Sequence, residues 1–416
     1  MTPENRVPAL GSNTWPGWSG LLEQTLAGIG PLDADAAAAA AARAANLAIP
    51  AGSLGRMLDL AVRLAGIQRT LAPAFPRKAV VVMAGDHGVV RRGVSAFPAE
   101  VTPQMVANFA RGRAAINALA VSAGARVLVT DVGVAADLPA SVGLQPVATV
   151  AEALSVGAVL HRKVRFGTDD LSTGPALTRA QATAAVEAGI DVVEGLVAEG
   201  LDLVATGDMG IGNTTPSSAL ACVFTRCEPR EVTGRGTGID DPGLERKRLV
   251  VEAALVCNHP DPADPVGALA AVGGLEIAGI AGVILGAAAA RIPVLVDGFI
   301  STAGALVACA LAPAARDYLI AAHRSLEPGH RVMLEYLGVE PLLDLDLRLG
   351  EGTGAALAMP LVDGAAALLG TMATFAEAGV SGSTPPDQVA ATPAAVAATP
   401  AAVAVHGHPV AGEQAA

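Results

Sequence analysis

Four short runs of the chain are nearly continuous in apolar, often β-branched residues. Such a run is typical of a strand that is covered on both faces, as in a parallel sheet. Stretches with helical spacing separate the runs, which favours βαβ units. The predicted strands are Ala79–Met83, Arg126–Thr130, Leu201–Ala205 and Pro293–Val296. The predicted fold class is therefore α/β, a Rossmann-like parallel-sheet domain with helices on both faces.

A small or acidic residue and a glycine-containing loop follow each of these runs. In an open parallel sheet, ligands bind at the carboxyl ends of the strands. We therefore expect the chemistry of the protein at these loops. They are Gly85–Gly88, Asp131–Gly133, Gly207–Gly210 and Asp297–Gly298.

Two helices are predicted ahead of the first strand. Residues 33–45 are almost pure alanine, a strong helix former, and residues 54–67 place apolar side chains near helical spacing. We expect the N- and C-terminal segments to form a smaller, mainly helical domain. The predicted parts are an N-terminal helical segment 1–77, the sheet domain 78–325, a C-terminal segment 326–381 and a disordered Ala/Pro-rich tail 382–416.

The charge balance excludes some classes of partner. Among 416 residues, 27 Lys and Arg stand against 39 Asp and Glu, which gives a formal charge of −12. A nucleic acid or an anionic membrane surface would repel such a protein at long range. Only 3% of the residues are aromatic, too few for a platform on which several bases stack. We expect small-molecule substrates, no nucleic acid and no membrane.

A mean hydropathy of +0.49 keeps a membrane permease as an alternative. The uncharged stretch Gly298–Ala315 reaches the lower length limit of a membrane span but contains polar residues and a proline. No secretory signal is visible at the N-terminus, and the four cysteines form no CxxC pair. These features favour a cytoplasmic protein with reduced thiols and no metal site.

The strongest local motif is the glycine loop Gly207–Thr215, which follows a predicted strand and precedes an apolar helix at Ser217–Phe224. Glycines let the backbone approach a ligand, and amides at a helix N-terminus attract an anion such as phosphate. A threonine-capped turn with no ligand explains the loop equally well. Neither a Walker loop nor a GxGxxG fingerprint occurs in the chain.

Two further glycine loops carry charged residues. Gly234–Asp241 leads into the basic cluster Arg246–Arg248, which would balance a phosphate or would simply face solvent. In the third loop, Glu351 is flanked by glycines ahead of an apolar helix, and we expect it on exposed backbone at the start of that helix. In a dry cleft its pKa would rise, which suits a general base. Glutamates also favour helix N-termini for electrostatic reasons alone.

Eight motifs taken in order resemble one family, the nicotinate-nucleotide:dimethylbenzimidazole phosphoribosyltransferases. The resemblance runs from about residue 48 to 378, and several of the motifs are long and peculiar to the family. They are GSLG (52–55), AGDHGVV (84–90), GVSAFPAEVTPQM (93–105), GDMGIGNTT (207–215), GRGTG (234–238), VDGFIS (296–301), HRSLEPGH (323–330) and LRLGEGTGAALAMPL (347–361).

This resemblance implies transfer of phosphoribose from nicotinate mononucleotide to 5,6-dimethylbenzimidazole, for the lower ligand of cobalamin. It also implies a homodimer that needs no metal or other cofactor. The catalytic base of the family falls on Glu351, with Asp208 as a second catalytic candidate. The phosphate and ribose contacts fall on Gly210, Ile211, Gly212, Asn213, Thr214, Gly236, Thr237 and Lys247, and the base pocket falls on Ser95, Phe97 and Gln104.

One departure from the family pattern concerns Asp208. The family usually has glutamate at this position, so the carboxylate here is one methylene shorter. If it helps to deprotonate the incoming base or to position the ribose, its reach is reduced. A non-catalytic or altered paralogue that binds a nucleotide or azole is therefore the alternative interpretation.

Overall fold

The computed structural model describes residues 20–138 and 147–382. Within these residues six strands form one sheet in the order β3-β2-β1-β4-β5-β6, and all its pairs are parallel. The predicted tail lies outside the described residues apart from Gly382. The strands are β1 Lys78–Gly85, β2 Ala125–Gly133, β3 Leu160–His161, β4 Leu203–Met209, β5 Val294–Val296 and β6 Leu319–Ala321.

The α/β fold class and all four predicted strands are confirmed, with changes to their bounds: β1 and β2 run on to Gly85 and Gly133, and β5 begins at Val294 instead of Pro293. The strand β4 begins at Leu203 instead of Leu201, because the amide of Leu201 is used to close the preceding helix on Leu196. It also runs on to Met209, since Gly207 and Asp208 pair with β1. The first three residues of the predicted glycine loop are therefore strand.

Sixteen α-helices connect and cover the sheet in the described residues. The predicted helices at 33–45 and 54–67 are confirmed as the second and third of them. They are α1 Leu21–Gly28, α2 Ala34–Ala44, α3 Arg56–Gln68, α4 Val101–Ala110, α5 Ala115–Ala123, α6 Val150–Val156, α7 Arg179–Ala198, α8 Thr214–Thr225, α9 Pro229–Val232, α10 Asp241–Asn258, α11 Pro265–Val272, α12 Leu275–Ala289, α13 Phe299–Leu311, α14 Pro328–Leu337, α15 Thr353–Thr371 and α16 Phe375–Ala378.

Each face of the sheet has its own apolar core. Val81 and Met83 of β1 point into the core shared with α7, α12 and α13, whereas Val80 and Val82 point into the core shared with α3 and α15. The two cores follow from the alternation of side chains along a strand that is buried on both sides. The helix α15 also packs directly on α3 and α5, so segments near the two ends of the chain meet on one face.

One helix of the described residues, α15, has the length and composition of a membrane span. In the fold it packs with more than half of its length buried, against the sheet and its neighbouring helices. The uncharged stretch Gly298–Ala315 contains α13, which is shorter and largely buried in the core. The apolar side chains of both segments therefore pack largely inside the protein.

Candidate active site

A cavity of about 390 Å³ opens at the carboxyl end of the sheet, beside β4 and β5. The sheet order reverses between β1 and β4, which is where ligands bind in folds of this kind. The lining combines apolar side chains with a few acidic, basic and hydroxyl groups. It consists of Phe97, Val101, Met105, Asp208, Met209, Gly210, Ile211, Asn213, Thr214, Gly236, Thr237, Gly298, Phe299, Ile300, His323, Ser325, Glu327, Arg348, Leu349, Gly350 and Glu351.

The turn that carries Glu351 has an unusual backbone. Gly350, Glu351 and Gly352 all have positive φ, at 84°, 64° and 87°. Glycine accepts this region freely, but glutamate adopts it at a cost that surrounding contacts must offset. Those contacts come from Asp297 at the end of β5, whose carboxylate accepts the amides of Gly352 (3.2 Å) and Ala355 (2.9 Å).

The expectation that Glu351 sits on exposed backbone is wrong, because the residue is only 6% exposed. Its Oε2 accepts a 3.4 Å hydrogen bond from the amide of Ile116, in the first turn of α5. Burial raises the pKa of Glu351; the Ile116 amide opposes this and the charge of Asp297 adds to it. A carboxyl group with a raised pKa at the wall of an apolar cavity is suited to accept a proton from a ligand.

Asp208 projects from the end of β4 toward the same turn. Its Oδ2 accepts a hydrogen bond from the side-chain amide of Asn213 (3.0 Å), and its Oδ1 is buried without a partner. A Cβ on Gly350 would lie 3.1 Å from both of its oxygens, so the carboxylate rests against the turn of Glu351. Burial, and then the charges of Asp297 and Glu276, raise the pKa of Asp208 well above its usual value.

The loop between β4 and α8 brings a helix N-terminus to the cavity, and anions bind at such positions in proteins. Residues Gly210 to Asn213 run directly into the N-terminus of α8, which begins at Thr214, three residues earlier than expected. The side chain of Lys247 from α10 is fully buried behind this loop, and its Nζ donates to Thr214 Oγ1 (2.7 Å) and Gly234 O (3.1 Å). Burial lowers the pKa of Lys247 to about 8, against the opposing charge of Glu327.

The second glycine loop lies directly against the first at the wall of the cavity. Gly236 has φ of 52°, and a Cβ there would lie 2.9 Å from Thr214 Oγ1 and 3.2 Å from Lys247 Nζ. Its amide donates a 2.8 Å hydrogen bond to Oε1 of Glu327. The predicted phosphate residues Gly210, Thr214, Gly236 and Lys247 are thus brought together, with the amide of Gly236 already bonded to a carboxylate.

The segment expected to hold the base pocket lies partly on the cavity. Phe97 lines it and is 51% exposed, and Ser95 is joined to Thr237 by a 3.2 Å contact between their hydroxyl oxygens. Gln104 is exposed on α4 and does not line the cavity. The lining side chains of α4 are instead its neighbours Val101 and Met105, which face inward with helical spacing.

Three residues of the site received no role in the sequence analysis: Asp297, His323 and Glu327. Asp297 had a usable signal, since it is an acidic residue directly after a predicted strand. His323 lies 3.7 Å from Asp297 and packs against Gly354, where a Cβ would approach its ring to 1.9 Å. His323 and Glu327 lie between β6 and α14, outside any helix or named strand, where the local sequence pattern does not indicate whether a side chain is buried.

Among the described residues, no group of three or more His, Cys, Asp or Glu side chains is arranged to hold a metal ion.

Two solved structures from Thermus thermophilus are similar to this chain. One is described as a nicotinate-nucleotide–dimethylbenzimidazole phosphoribosyltransferase, with a TM-score of 0.77, 48% identity, and coverage of 85% of this chain and 100% of that one. The other is described as CobT, with a TM-score of 0.78, 49% identity, and coverage of 83% and 99%.

Comparison of sequences gives the same family. A family model described as "Phosphoribosyltransferase" matches residues 29–380. A relative from Chloroflexus aggregans is 56% identical over 361 residues, which cover 87% of this chain and 98% of the relative. A relative from Geobacter sulfurreducens is 54% identical over 361 residues, with the same coverage. Both are named nicotinate-nucleotide–dimethylbenzimidazole phosphoribosyltransferase, and this chain belongs to their family.

Proposed function

We propose that this enzyme transfers phosphoribose from nicotinate mononucleotide to 5,6-dimethylbenzimidazole, giving α-ribazole 5′-phosphate and nicotinate. The observation that carries the proposal is the position of Glu351: a buried carboxylate at the wall of an apolar cavity, across from a phosphate-type loop backed by Lys247. The product belongs to the assembly of the lower ligand of cobalamin.

The reaction needs little help with its leaving group. Nicotinate mononucleotide carries a pyridinium, so when the bond from C1′ to the ring nitrogen breaks, the electron pair stays on that nitrogen and nicotinate departs. The sugar carbon becomes oxocarbenium-like and is captured by one nitrogen of the azole. Attack from the face opposite to the leaving group inverts the β linkage to α.

Glu351 removes the proton that the azole must lose. As one ring nitrogen bonds to C1′, positive charge develops on the ring and the other nitrogen becomes acidic. A carboxylate at that N–H stabilises the transition state more than the ground state, because the charge exists only in the transition state. Asp208 lies beside the same turn and supports the ribose or the azole from the β4 side.

The glycine loops hold the phosphoribosyl group. Amides of the loop that leads into α8 and the hydroxyls of Thr214 and Thr237 supply donors to the phosphate, and the ammonium of Lys247, buried behind the loop, adds positive charge. A fixed phosphate keeps C1′ in line with the azole nitrogen, which lowers the entropic part of the barrier. Phe97, Ile211 and Leu349 offer apolar surface to the benzimidazole ring.

The assay that tests this function incubates purified protein with nicotinate mononucleotide and dimethylbenzimidazole and separates the products by chromatography. We expect nicotinate and α-ribazole 5′-phosphate in equal amounts, and no nicotinate when the azole is omitted. Nicotinate release that does not depend on the azole would indicate a hydrolase instead. Binding of both compounds without turnover would indicate a non-catalytic paralogue.

The assembly and location of the enzyme complete the proposal. We place it in the cytoplasm as a homodimer, and we assign 326–381 to a smaller domain together with 1–77. Sedimentation of the purified full chain tests the dimer: a mass near twice 41.2 kDa supports it, and a monomer at micromolar concentration contradicts it.

A further inference from the structure

A buried ion pair lies directly behind the phosphate-type loop. His87 follows β1, and Glu276 stands in the first turn of α12. Nε2 of His87 lies 2.8 Å from Oε1 of Glu276, and both side chains have no exposed surface. Neither residue lines the cavity, so neither is placed to touch a substrate.

The side chain of His87 fits against glycines of two turns. A Cβ on Gly274 would lie 2.5 Å from Cε1 of His87, and a Cβ on Gly210 would lie 3.3 Å from its Nε2. A Cβ on Gly212 would lie 3.8 Å from Cβ of His87. The ring is therefore packed against the main chain of the loop that precedes α8, on the side away from the cavity.

The acidic surroundings of His87 favour its charged form. Burial alone would lower the pKa of His87, but the charges of Glu276 and Asp86 outweigh it and raise that pKa. The acidic groups Asp86, Glu276 and Asp208 all meet at this end of the sheet. A buried carboxylate without a partner is strongly destabilising, so Glu276 depends on the donor that His87 provides.

We propose that His87 and Glu276 are positioning residues that hold the Gly210–Asn213 turn in its phosphate-binding shape. The proposal rests on the proposed function, because it assigns that turn to the phosphate of nicotinate mononucleotide. The ring supplies a rigid surface beneath Gly210, and its hydrogen bond to Glu276 fixes the ring to the start of α12. The turn is thereby tied to two elements that do not themselves reach the ligand.

The test compares two substitutions of His87 by steady-state kinetics. His87→Leu removes the donor, and we expect the KM for nicotinate mononucleotide to rise about tenfold or more, with a smaller change in kcat. His87→Gln keeps an amide N–H at the reach of Nε2, and we expect it to restore most of the affinity. The KM for the azole should change less than the KM for the nucleotide in both variants.

Lys163→Met is the matched control. Lys163 forms a buried ion pair with Asp131 (3.2 Å) elsewhere at this end of the sheet and does not line the cavity. We expect it to lower the thermal midpoint without changing the KM for the nucleotide. If His87→Leu behaves in the same way, or if His87→Gln is as impaired as His87→Leu, the pair is merely structural and the proposal is wrong.

A double variant keeps the test decisive if His87→Leu does not fold. The His87→Leu/Glu276→Leu protein loses both charges of the pair together, and replacing a buried ion pair by apolar side chains is often neutral for stability. We expect it to fold and to retain the raised KM, whereas a wild-type KM would overturn the proposal. Failure of the proposed function is seen separately, because wild-type protein would then form no α-ribazole 5′-phosphate.

Discussion

The carbonyl oxygen of Glu351 would lie 2.6 Å from a Cβ built on Gly207. The strand end of β4 and the turn of the proposed base therefore touch through main chain alone. A single methyl group at this point would force the turn to move.

Gly207→Ala tests this contact. We expect a fall in kcat of about 100-fold, since displacing a catalytic group by about 1 Å has an effect of this size. Nicotinate release measures it. Gly174→Ala is the control, because nothing lies within 4 Å of a Cβ there, and it should match wild type. A Gly207→Ala enzyme with wild-type kcat would show that the turn tolerates the shift.

Glu351→Gln tests the base itself. The amide oxygen can still accept from Ile116, so folding and nucleotide binding should persist, while turnover falls by about 10²- to 10⁴-fold. In the wild-type enzyme the base must be ionised. Because its pKa is raised, kcat/KM should fall with decreasing pH at a higher pH than an ordinary glutamate would give. A variant with near wild-type rate would refute the assignment.

Asp208→Glu introduces the residue that the family resemblance leads us to expect at this position. The extra methylene extends the carboxylate, and we expect kcat to equal or exceed that of wild type. Asp208→Asn, which keeps the length but removes the acid, should lower kcat. A tenfold loss in Asp208→Glu would mean that the pocket of this enzyme is fitted to the shorter side chain.

The lowered pKa of Lys247 predicts that nucleotide binding weakens at alkaline pH. Its pKa is lowered to about 8, so the ammonium is lost as the pH rises through that value. The KM for nicotinate mononucleotide should therefore rise above about pH 8, while the KM for the azole stays flat. Lys247→Arg keeps its charge at these pH values, and the rise should disappear in that variant. An unchanged pH dependence would remove Lys247 from the phosphate site.

Truncation after Gly382 tests the tail. The family match ends at residue 380, and relatives are covered to 98% of their length by 87% of this chain. We expect kcat, both KM values and the thermal midpoint to stay within error of the full chain. A large loss of activity would show that the residues after Gly382 contribute to catalysis.

The sequence predicted the four inner strands of the sheet but not its two edge strands. Nearly continuous apolar runs marked β1, β2, β4 and β5, whereas Leu160–His161 and Leu319–Ala321 were not predicted. These edge strands exist because a neighbouring strand offers hydrogen bonds, a tertiary effect that no local window contains.

The site was predicted where residue type and chain position coincide, as at Glu351 and the loop before α8. Its depth was not. Glu351 is buried because α5 and Asp297 close over its turn, and these partners are far apart in the sequence. Gln104 was assigned to the pocket from its motif, whereas the rotation of α4 presents Val101 and Met105.

The packing of α15 on α3 has a consequence for the order of events during synthesis. A nascent chain that has left the ribosome as far as β6 contains every strand of the described sheet, yet it still lacks Glu351 and the helix that anchors it. Until then α3 exposes the apolar surface that α15 will cover. The proposed base thus arrives only with the segment that follows β6, and the apolar face of α3 stays uncovered in the unfinished molecule.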